Sequence, residues 1–282
     1  MKDKTCIITG ATAGIGLETA ARLGALGARL LLVGRSREKG NAALAQLRME
    51  VPGIAAEMYY ADLSRSDEIL RLAAALLDDA GQIDVLVNNA GAIFARRETT
   101  PDGLERTFAL NHMGYFRLTA LLRSRLIASG PARIVNVASE AHRSAQLDFN
   151  DLQLSMRYSG WTAYRRSKLA NILFTRELAR QLRNTAVTVN CLHPGFVASN
   201  FGENNRGIWR LGIKVAKRFG AISVERGAET PVYLSSSSNV DDINGKYFED
   251  CRQRAPDETA QDDTAAARLW EESEKLAGFR MP

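Results

Sequence analysis

Thr5-Cys6-Ile7-Ile8-Thr9-Gly10-Ala11-Thr12-Ala13-Gly14-Ile15-Gly16-Leu17 lies close to the start of a chain of 282 residues. Thr5 to Thr9 reads as a short buried strand. Three glycines follow, and apolar residues at helical spacing run from Leu17 to Leu26. Strand, glycine turn and helix in that order form the context in which such a turn holds a dinucleotide. Gly10 permits a tight turn, Gly14 lets the backbone approach a pyrophosphate, and Gly16 lets the helix pack close to the strand. The helix start at Gly14-Ile15-Gly16 then offers free N–H groups to phosphates. Thr12 is placed to bond a ribose or a phosphate. A glycine turn in an ordinary βα unit would look similar, so the rest of the chain has to decide.

Working outward, the second strand (29–33) ends at Gly34-Arg35, where a site for NAD usually carries an acidic residue. No carboxylate stands there, and the Arg35 guanidinium can pair with a 2′-phosphate. NADP(H) is therefore preferred, with NAD(H) as the alternative, because Ala13 lacks the basic side chain that many NADP sites carry. Arg37 and Lys39 either help or are solvated charges on the next helix. Asp62, with Leu63 beside it, follows the third strand and either bonds an adenine amino group or caps the next helix. Asn88-Asn89-Ala90-Gly91 closes the fourth strand, and small or amide residues there let a cofactor ribose reach the backbone.

Strand patterns near 5–9, 29–33, 55–60, 83–87, 132–137, 186–192 and 245–248 alternate with helical patterns near 14–27, 36–50, 64–80, 102–128, 160–183, 225–236 and 264–277. Such alternation predicts an α/β fold: one Rossmann-like, doubly wound domain of about seven parallel strands with helices on both faces. All strand ends carrying motifs then meet on one edge of the sheet. Hydrophobic residues are 45% of the chain, enough for a large core, and the net charge is +5. The Arg and Lys are scattered, and no nucleic-acid module is found. Cys6, Cys191 and Cys251 are far apart and odd in number, so no disulfide framework is expected, and a reducing cytoplasm fits. There is no metal site to expect. The first strand begins at Thr5, which leaves no room for a signal peptide, and no apolar run reaches the length of a membrane span.

Tyr164 and Lys168 stand four apart in a helical pattern, which puts them on one face. A phenol beside an ammonium ionises more readily, as a proton donor near neutral pH requires. Ser139 closes the fifth strand at the same edge, unless it is only a turn cap. Asn111 sits inside an apolar helix, where it must bind partners or distort the helix. His193-Pro194-Gly195-Phe196-Val197-Ala198-Ser199 follows the sixth strand. Its backbone could hold a carboxamide, and His193 is read as support for the turn. Tyr158 has Thr162, not lysine, four residues on, and is placed in packing or at the rim of the site.

The chain resembles the short-chain dehydrogenases/reductases over essentially its whole length, through Thr9-Gly10-x-x-x-Gly14-x-Gly16, Asn88-Asn89-Ala90-Gly91, Ser139, Tyr164-x-x-x-Lys168 and Pro194-Gly195. Within them it is most similar to the retinol dehydrogenase and WW-domain oxidoreductase branch. The similarity lies in Ser167 to Arg180, Asn111-His112, Ala141-His142, Asp151-Leu152-Gln153, His193-Pro194-Gly195 and Arg268-Leu269-Trp270. The resemblance implies a catalytic tetrad of Asn111, Ser139, Tyr164 and Lys168. It implies cofactor contacts at Gly10, Thr12, Gly14, Ile15, Gly16, Arg35, Asp62, Leu63, Asn89, Ala90, Gly91, Tyr164, Lys168, Pro194, Gly195, Val197 and Ser199. Ser199 replaces the branch's threonine and keeps the hydroxyl.

The implied activity interconverts a carbonyl and an alcohol on a small apolar molecule. The alternatives are reduction of a carbon–carbon double bond and a non-catalytic NADP-binding regulator. Residues 198–223 hold the substrate-lid position. Trp209, Ile213 and Ala216 share one helical face there, and Arg210, Lys214 and Lys217 another. That pattern suits a lid more than a membrane-surface helix. A homo-oligomer, dimer or tetramer, is expected by analogy. Leu118, Leu121, Leu122, Leu173 and Phe174 could form its interface or simply the core.

Overall fold

Thr5–Thr9 forms strand β1 with every residue buried, and helix α1 (Gly14–Ala25) starts directly after the glycine turn. Gly10 has φ +67°, and a Cβ there would press on the Ala90 backbone at 2.9 Å, so the turn needs glycine. A Cβ on Gly16 would lie 2.4 Å from the Gly10 carbonyl, which explains how α1 packs so close to β1. The computed structural model describes residues 1–196 and 222–281. Val197, Ser199 and the helical faces expected in the lid, from Trp209 to Lys217, lie outside the described residues.

The alternation continues through β2 (Arg29–Gly34), α2 (Arg37–Glu50), β3 (Ala56–Tyr60), α3 (Ser66–Asp79) and β4 (Val85–Asn88). After β4 come α4 (Arg106–Phe108), α5 (Gly114–Ser129), β5 (Ala132–Val137), α6 (Gly160–Gln181), β6 (Val187–His193) and β7 (Tyr247–Glu249). A C-terminal helix, Asp263–Ala277, is capped by the Asp262 carboxylate and ends at Gly278 in the left-handed conformation.

All strands join one sheet in the order β3-β2-β1-β4-β5-β6-β7-β8. Seven are parallel, as the alternation predicts; the eighth, β8 (Arg252–Arg254), pairs antiparallel with β7. Asp250 and Cys251 both take positive φ between them, the backbone of a tight hairpin turn without the usual glycine. β8 is exposed, short and charged, which suits an edge strand. The strand order turns back on itself between β1 and β4, so a crevice opens at their C-terminal ends.

Central strands are apolar on both faces because helices cover both. Ile7, Leu31 and Val33 pack with α3, α5 and α6 on one side, while Cys6, Ile8, Leu30 and Leu32 pack with α1 and α2 on the other. Burial pushes the Cys6 and Cys191 thiols up to about 12, as expected of inert core thiols. Leu118, Leu122, Leu173 and Phe174 are core residues, and Leu121 is half-buried. Trp270 of the C-terminal helix covers this region, its ring 5.4 Å from that of Phe116 and 6.1 Å from that of Phe174. No helix among the described residues is long and apolar enough to cross a membrane.

Candidate active site

Two adjoining cavities of about 730 and about 420 Å³ lie over the strand ends, and Gly10, Thr12, Ala90 and Gly91 line both. The larger is bordered by Gly14, Ile15, Gly16, Asn89, Ser139, Tyr164, Lys168, Pro194 and Gly195. The smaller is bordered by Arg35, Lys39, Asp62 and Leu63. Apart from Asn111, every described residue expected at the site therefore falls on one continuous cleft.

Helix α6 carries Tyr164 and Lys168. Ser159 caps it by accepting from Thr162 N, and one turn later Tyr164 and Lys168 face the end of β5. Both are buried. Lys168 Nζ donates to the Val137 carbonyl at 2.9 Å and stands 5.7 Å above the Tyr164 ring. Ser139 leaves β5 in an extended conformation; its Oγ accepts from Ala141 N at 3.2 Å and hydrogen-bonds the Tyr164 side chain.

Burial pushes the Tyr164 phenol up to about 12, although the Ser139 hydrogen bond works the other way. Burial also brings the Lys168 ammonium down to about 7. The spacing in sequence predicts a phenol made more acidic by lysine; here burial sets the direction of the shift and moves it the other way, with Nζ 5.7 Å from the ring centroid and both groups out of water. Tyr164 thus stays protonated through neutral pH, the form that can give a proton away.

Asn111 lies in a π turn (Ala109–Met113) joining α4 to α5, a local distortion of the kind its sequence setting suggests. Its Nδ2 donates to Ala92 O and Ser167 Oγ, both at 2.9 Å, and its Oδ1 accepts from Ala92 N at 2.9 Å. Asn111 borders neither cavity, but it is close to the site: a Cβ on Gly91 would lie 3.3 Å from its Oδ1 and 3.4 Å from Lys168 Nζ. Beneath, Asn88 donates to Asn136 Oδ1 and Thr119 Oγ1, and Asn136 donates to Thr175 Oγ1, a buried polar ladder that ties β4 and β5 to the helices.

At the other end, the residues fit a dinucleotide. α1 begins without a side-chain cap and without an acidic residue in its first turn, whereas Ser36 caps α2. Its uncapped N–H groups border the cavity, an arrangement suited to phosphate oxygens. Asn89 Nδ2 is bonded to the Thr9 carbonyl at 2.7 Å and holds the turn in shape.

Arg35 extends from the end of β2 with its side chain 60% exposed, and its NH1 lies 3.7 Å from Asp62 Oδ2. Asp62 also accepts from Ser64 N and Oγ, so a turn-capping role is realised. The end of β3 therefore supplies a carboxylate beside Arg35, although none follows β2 in sequence. Arg37 stacks over Tyr60 instead, 4.7 Å from the ring centroid.

Trp161 and Phe196 were not singled out by the sequence. Both border the larger cavity and are about half exposed, and the Trp161 ring stacks on Tyr164 at 6.0 Å. The available signal was Trp161's place one helical turn before Tyr164. Tyr158 bonds Phe94 O at 2.8 Å and Glu105 Oε1 at 3.2 Å, a packing role. The sequence places His193 in support of its own turn after β6; its Nδ1 instead accepts from Glu140 N at 3.1 Å and so braces the turn after β5. No metal-holding cluster of His, Cys, Asp and Glu occurs among the described residues.

The short chain dehydrogenase family profile matches residues 4–207. Human retinol dehydrogenase 13 is 39% identical over 99% of this chain and 86% of its own length. Human retinol dehydrogenase 12 is also 39% identical, over 99% of this chain and 88% of its own. Among solved structures, a putative uncharacterized protein from Mycobacterium paratuberculosis superposes with a TM-score of 0.80 at 30% identity, covering 100% of this chain and 96% of its own. A variant of actinorhodin polyketide ketoreductase with NADPH superposes with a TM-score of 0.68 at 28% identity, over 88% of this chain and 97% of its own. The chain belongs to the short-chain dehydrogenase family, in its retinol dehydrogenase-like group, and is an NAD(P)-binding oxidoreductase of alcohols and carbonyls.

Proposed function

We propose that the protein uses NADP(H) to interconvert a carbonyl and an alcohol on a small apolar molecule, with Tyr164 as the proton donor and acceptor. One observation carries this reading: Ser139, Tyr164 and Lys168 are held together on the cavity that begins at the glycine turn. When bound, the nicotinamide supplies or takes up a hydride. Every other part of the reaction falls to the chain's own residues. The free N–H groups of α1 hold the pyrophosphate, and Arg35 with Lys39 offers positive charge to a 2′-phosphate. Lys168 bonds the ribose beside the reacting centre. Ser139 Oγ donates to the substrate carbonyl oxygen and orients it. Tyr164 gives its hydroxyl proton to that oxygen during reduction, and takes it back during oxidation.

The apolar character of the substrate is supported by Trp161, Phe196, Ala138 and Ala141 around the reacting hydroxyl. Relatives named retinol dehydrogenases point the same way. An apolar substrate seated against these walls would displace water and so strengthen the polar contacts at the carbonyl. The test is to titrate the protein with NADPH and NADH in parallel, then measure turnover on aldehydes, ketones and matched enones. Tighter NADPH binding with carbonyl turnover is the expected result. Turnover confined to enones would replace carbonyl reduction by double-bond reduction. Tight binding without turnover of any of them would leave a cofactor-binding regulator. Equal affinity for both cofactors would remove the role given to Arg35.

A further inference from the structure

Two buried histidines flank Ser139, and the chemistry above uses neither. His142 is fully buried, with Nδ1 2.7 Å from the Ser139 carbonyl oxygen and Nε2 3.1 Å from Asp257 N. A peptide N–H can only donate, so Nε2 is the bare nitrogen, and the proton on Nδ1 goes to Ser139 O. His193, the last residue of β6, lies on the other side, where its Nδ1 accepts from Glu140 N at 3.1 Å. That nitrogen is bare for the same reason. The Ser139–Glu140 peptide is therefore gripped by one ring at its carbonyl and by another at its N–H.

These grips join distant parts of the fold. His142 ties Ser139 to Asp257, whose carboxylate in turn accepts from Ser144 N at 2.7 Å. His193 ties Glu140 to β6. The Ser139 carbonyl also accepts locally from His142 N at 3.1 Å. Neighbouring atoms of the segment are held from afar by Ala138 N to Leu192 O at 2.8 Å, Arg165 Nε to Ala141 O at 3.3 Å and Tyr247 OH to Glu140 Oε2 at 3.3 Å. The two rings are what link the Ser139–Glu140 peptide itself to elements outside its turn. Protonating His193 would set an N–H against the Glu140 N–H and cancel that grip; protonating His142 would keep its bond to Ser139 O but set an N–H against Asp257 N and cancel the tie that anchors the ring.

Charged and titratable groups from several elements face the two rings. Glu140, Arg143 and Asp257 face His142, and the Tyr247 ring lies 5.2 Å away. Glu140, Glu249, Asp250 and His142 face His193. Burial is the leading influence on both rings and holds each below the ordinary histidine range.

We propose that His142 and His193 are positioning residues, neutral clamps on the Ser139–Glu140 peptide that set the direction from which Ser139 Oγ meets Tyr164 and the substrate. The inference rests on the reaction-centre reading of Ser139 and Tyr164. It gives the enzyme an acid limb of its own: kcat falls as the pH drops below the ordinary histidine range, because the clamps protonate while Tyr164 is already protonated.

The experiment measures kcat, KM and NADPH affinity from pH 5 to 9 for wild type, His193→Leu, His193→Asn, His142→Asn and Tyr164→Phe. Asn at 193 can accept from Glu140 N without titrating. Leu cannot accept. Asn at 142 keeps a donor for Ser139 but drops the tie to Asp257. The expected result is a kcat lowered roughly ten- to a hundred-fold in His193→Leu, at nearly unchanged NADPH affinity. His193→Asn should keep its kcat at pH 8, with its acid limb displaced to lower pH. His142→Asn should lose kcat rather than raise KM. Wild-type kcat at every pH in both His193→Leu and His142→Asn would overturn the proposal, as would an unmoved acid limb in His193→Asn. Tyr164→Phe separates the two levels: if it stays active the reaction-centre reading fails, and if it is inactive while His193→Leu and His142→Asn are both normal only the clamps fail.

Discussion

At the β5–α6 end of the cleft, Tyr164 and Lys168, with Asn111 close behind them, are buried and held by hydrogen bonds or ring contacts inside the protein, whereas at the β2–β3 end Arg35 is mostly in solvent and paired across 3.7 Å to Asp62. A buried group has few conformers and works in a low dielectric, so its position and protonation are set by the fold. An exposed guanidinium is screened by salt and shares its charge with the nearest carboxylate. On the proposed reading, the chemistry belongs to the rigid end and the choice of cofactor to the soft end. Substitutions at the first should change rate by orders of magnitude. Those at the second should change preference modestly.

The largest effect expected at the rigid end short of Tyr164 itself belongs to Lys168. Lys168→Met should lower kcat by roughly a hundred- to ten-thousand-fold and should also weaken NADPH binding, since Nζ serves both. A rate loss with unaltered cofactor affinity would separate Lys168 from the ribose. The rigid end also predicts a pH effect. Burial lowers Lys168 to about 7, so its ammonium is present below that value and is lost as the pH rises through it. Binding of NADPH measured without substrate should weaken above neutrality. Binding flat from pH 6 to 9 would mean that the lysine charge is held by something other than its burial.

At the soft end, Arg35→Asp should weaken NADPH binding by about ten- to a hundred-fold while leaving NADH binding unchanged or improved, as loss of one charge-assisted contact implies. Equal weakening of both cofactors would point to damage in the turn and not to a lost phosphate contact. The smallest effect should come from Asp62→Asn. Freeing Arg35 from its carboxylate should tighten NADPH about two- to five-fold at low salt, and added salt should erase the gain. Weaker binding of both cofactors would instead mark Asp62 as an adenine contact.

Much of this was legible in the sequence, for identifiable reasons. Apolar strands alternating with amphipathic helices gave the sheet, and the glycine turn placed its working edge. The spacing of Tyr164 and Lys168 put both on one helix face without any knowledge of the tertiary structure. Three features were not legible. β8 depends on Asp250 and Cys251 both taking a left-handed backbone, and no glycine announces it. The Arg35–Asp62 pair exists because β2 and β3 are neighbours, with Gly34 opposite Tyr60, a relation between strands that local sequence does not carry. The direction of the Tyr164 shift depends on depth as well as spacing: four residues along a helix fix closeness, and only the packed fold fixes how much water is excluded. The histidine clamps fall in the same class, since His142 reaches Asp257 across 115 residues of sequence.

The measurement that tests the central claim most directly is single-turnover oxidation of bound NADPH by a carbonyl substrate, for wild type and Tyr164→Phe, with cofactor affinity measured on the same samples. The account predicts equal NADPH affinity and a rate lower by roughly a hundred- to ten-thousand-fold in the variant. A variant that binds NADPH equally well and oxidises it at the wild-type rate would contradict the assignment of Tyr164 as the proton donor.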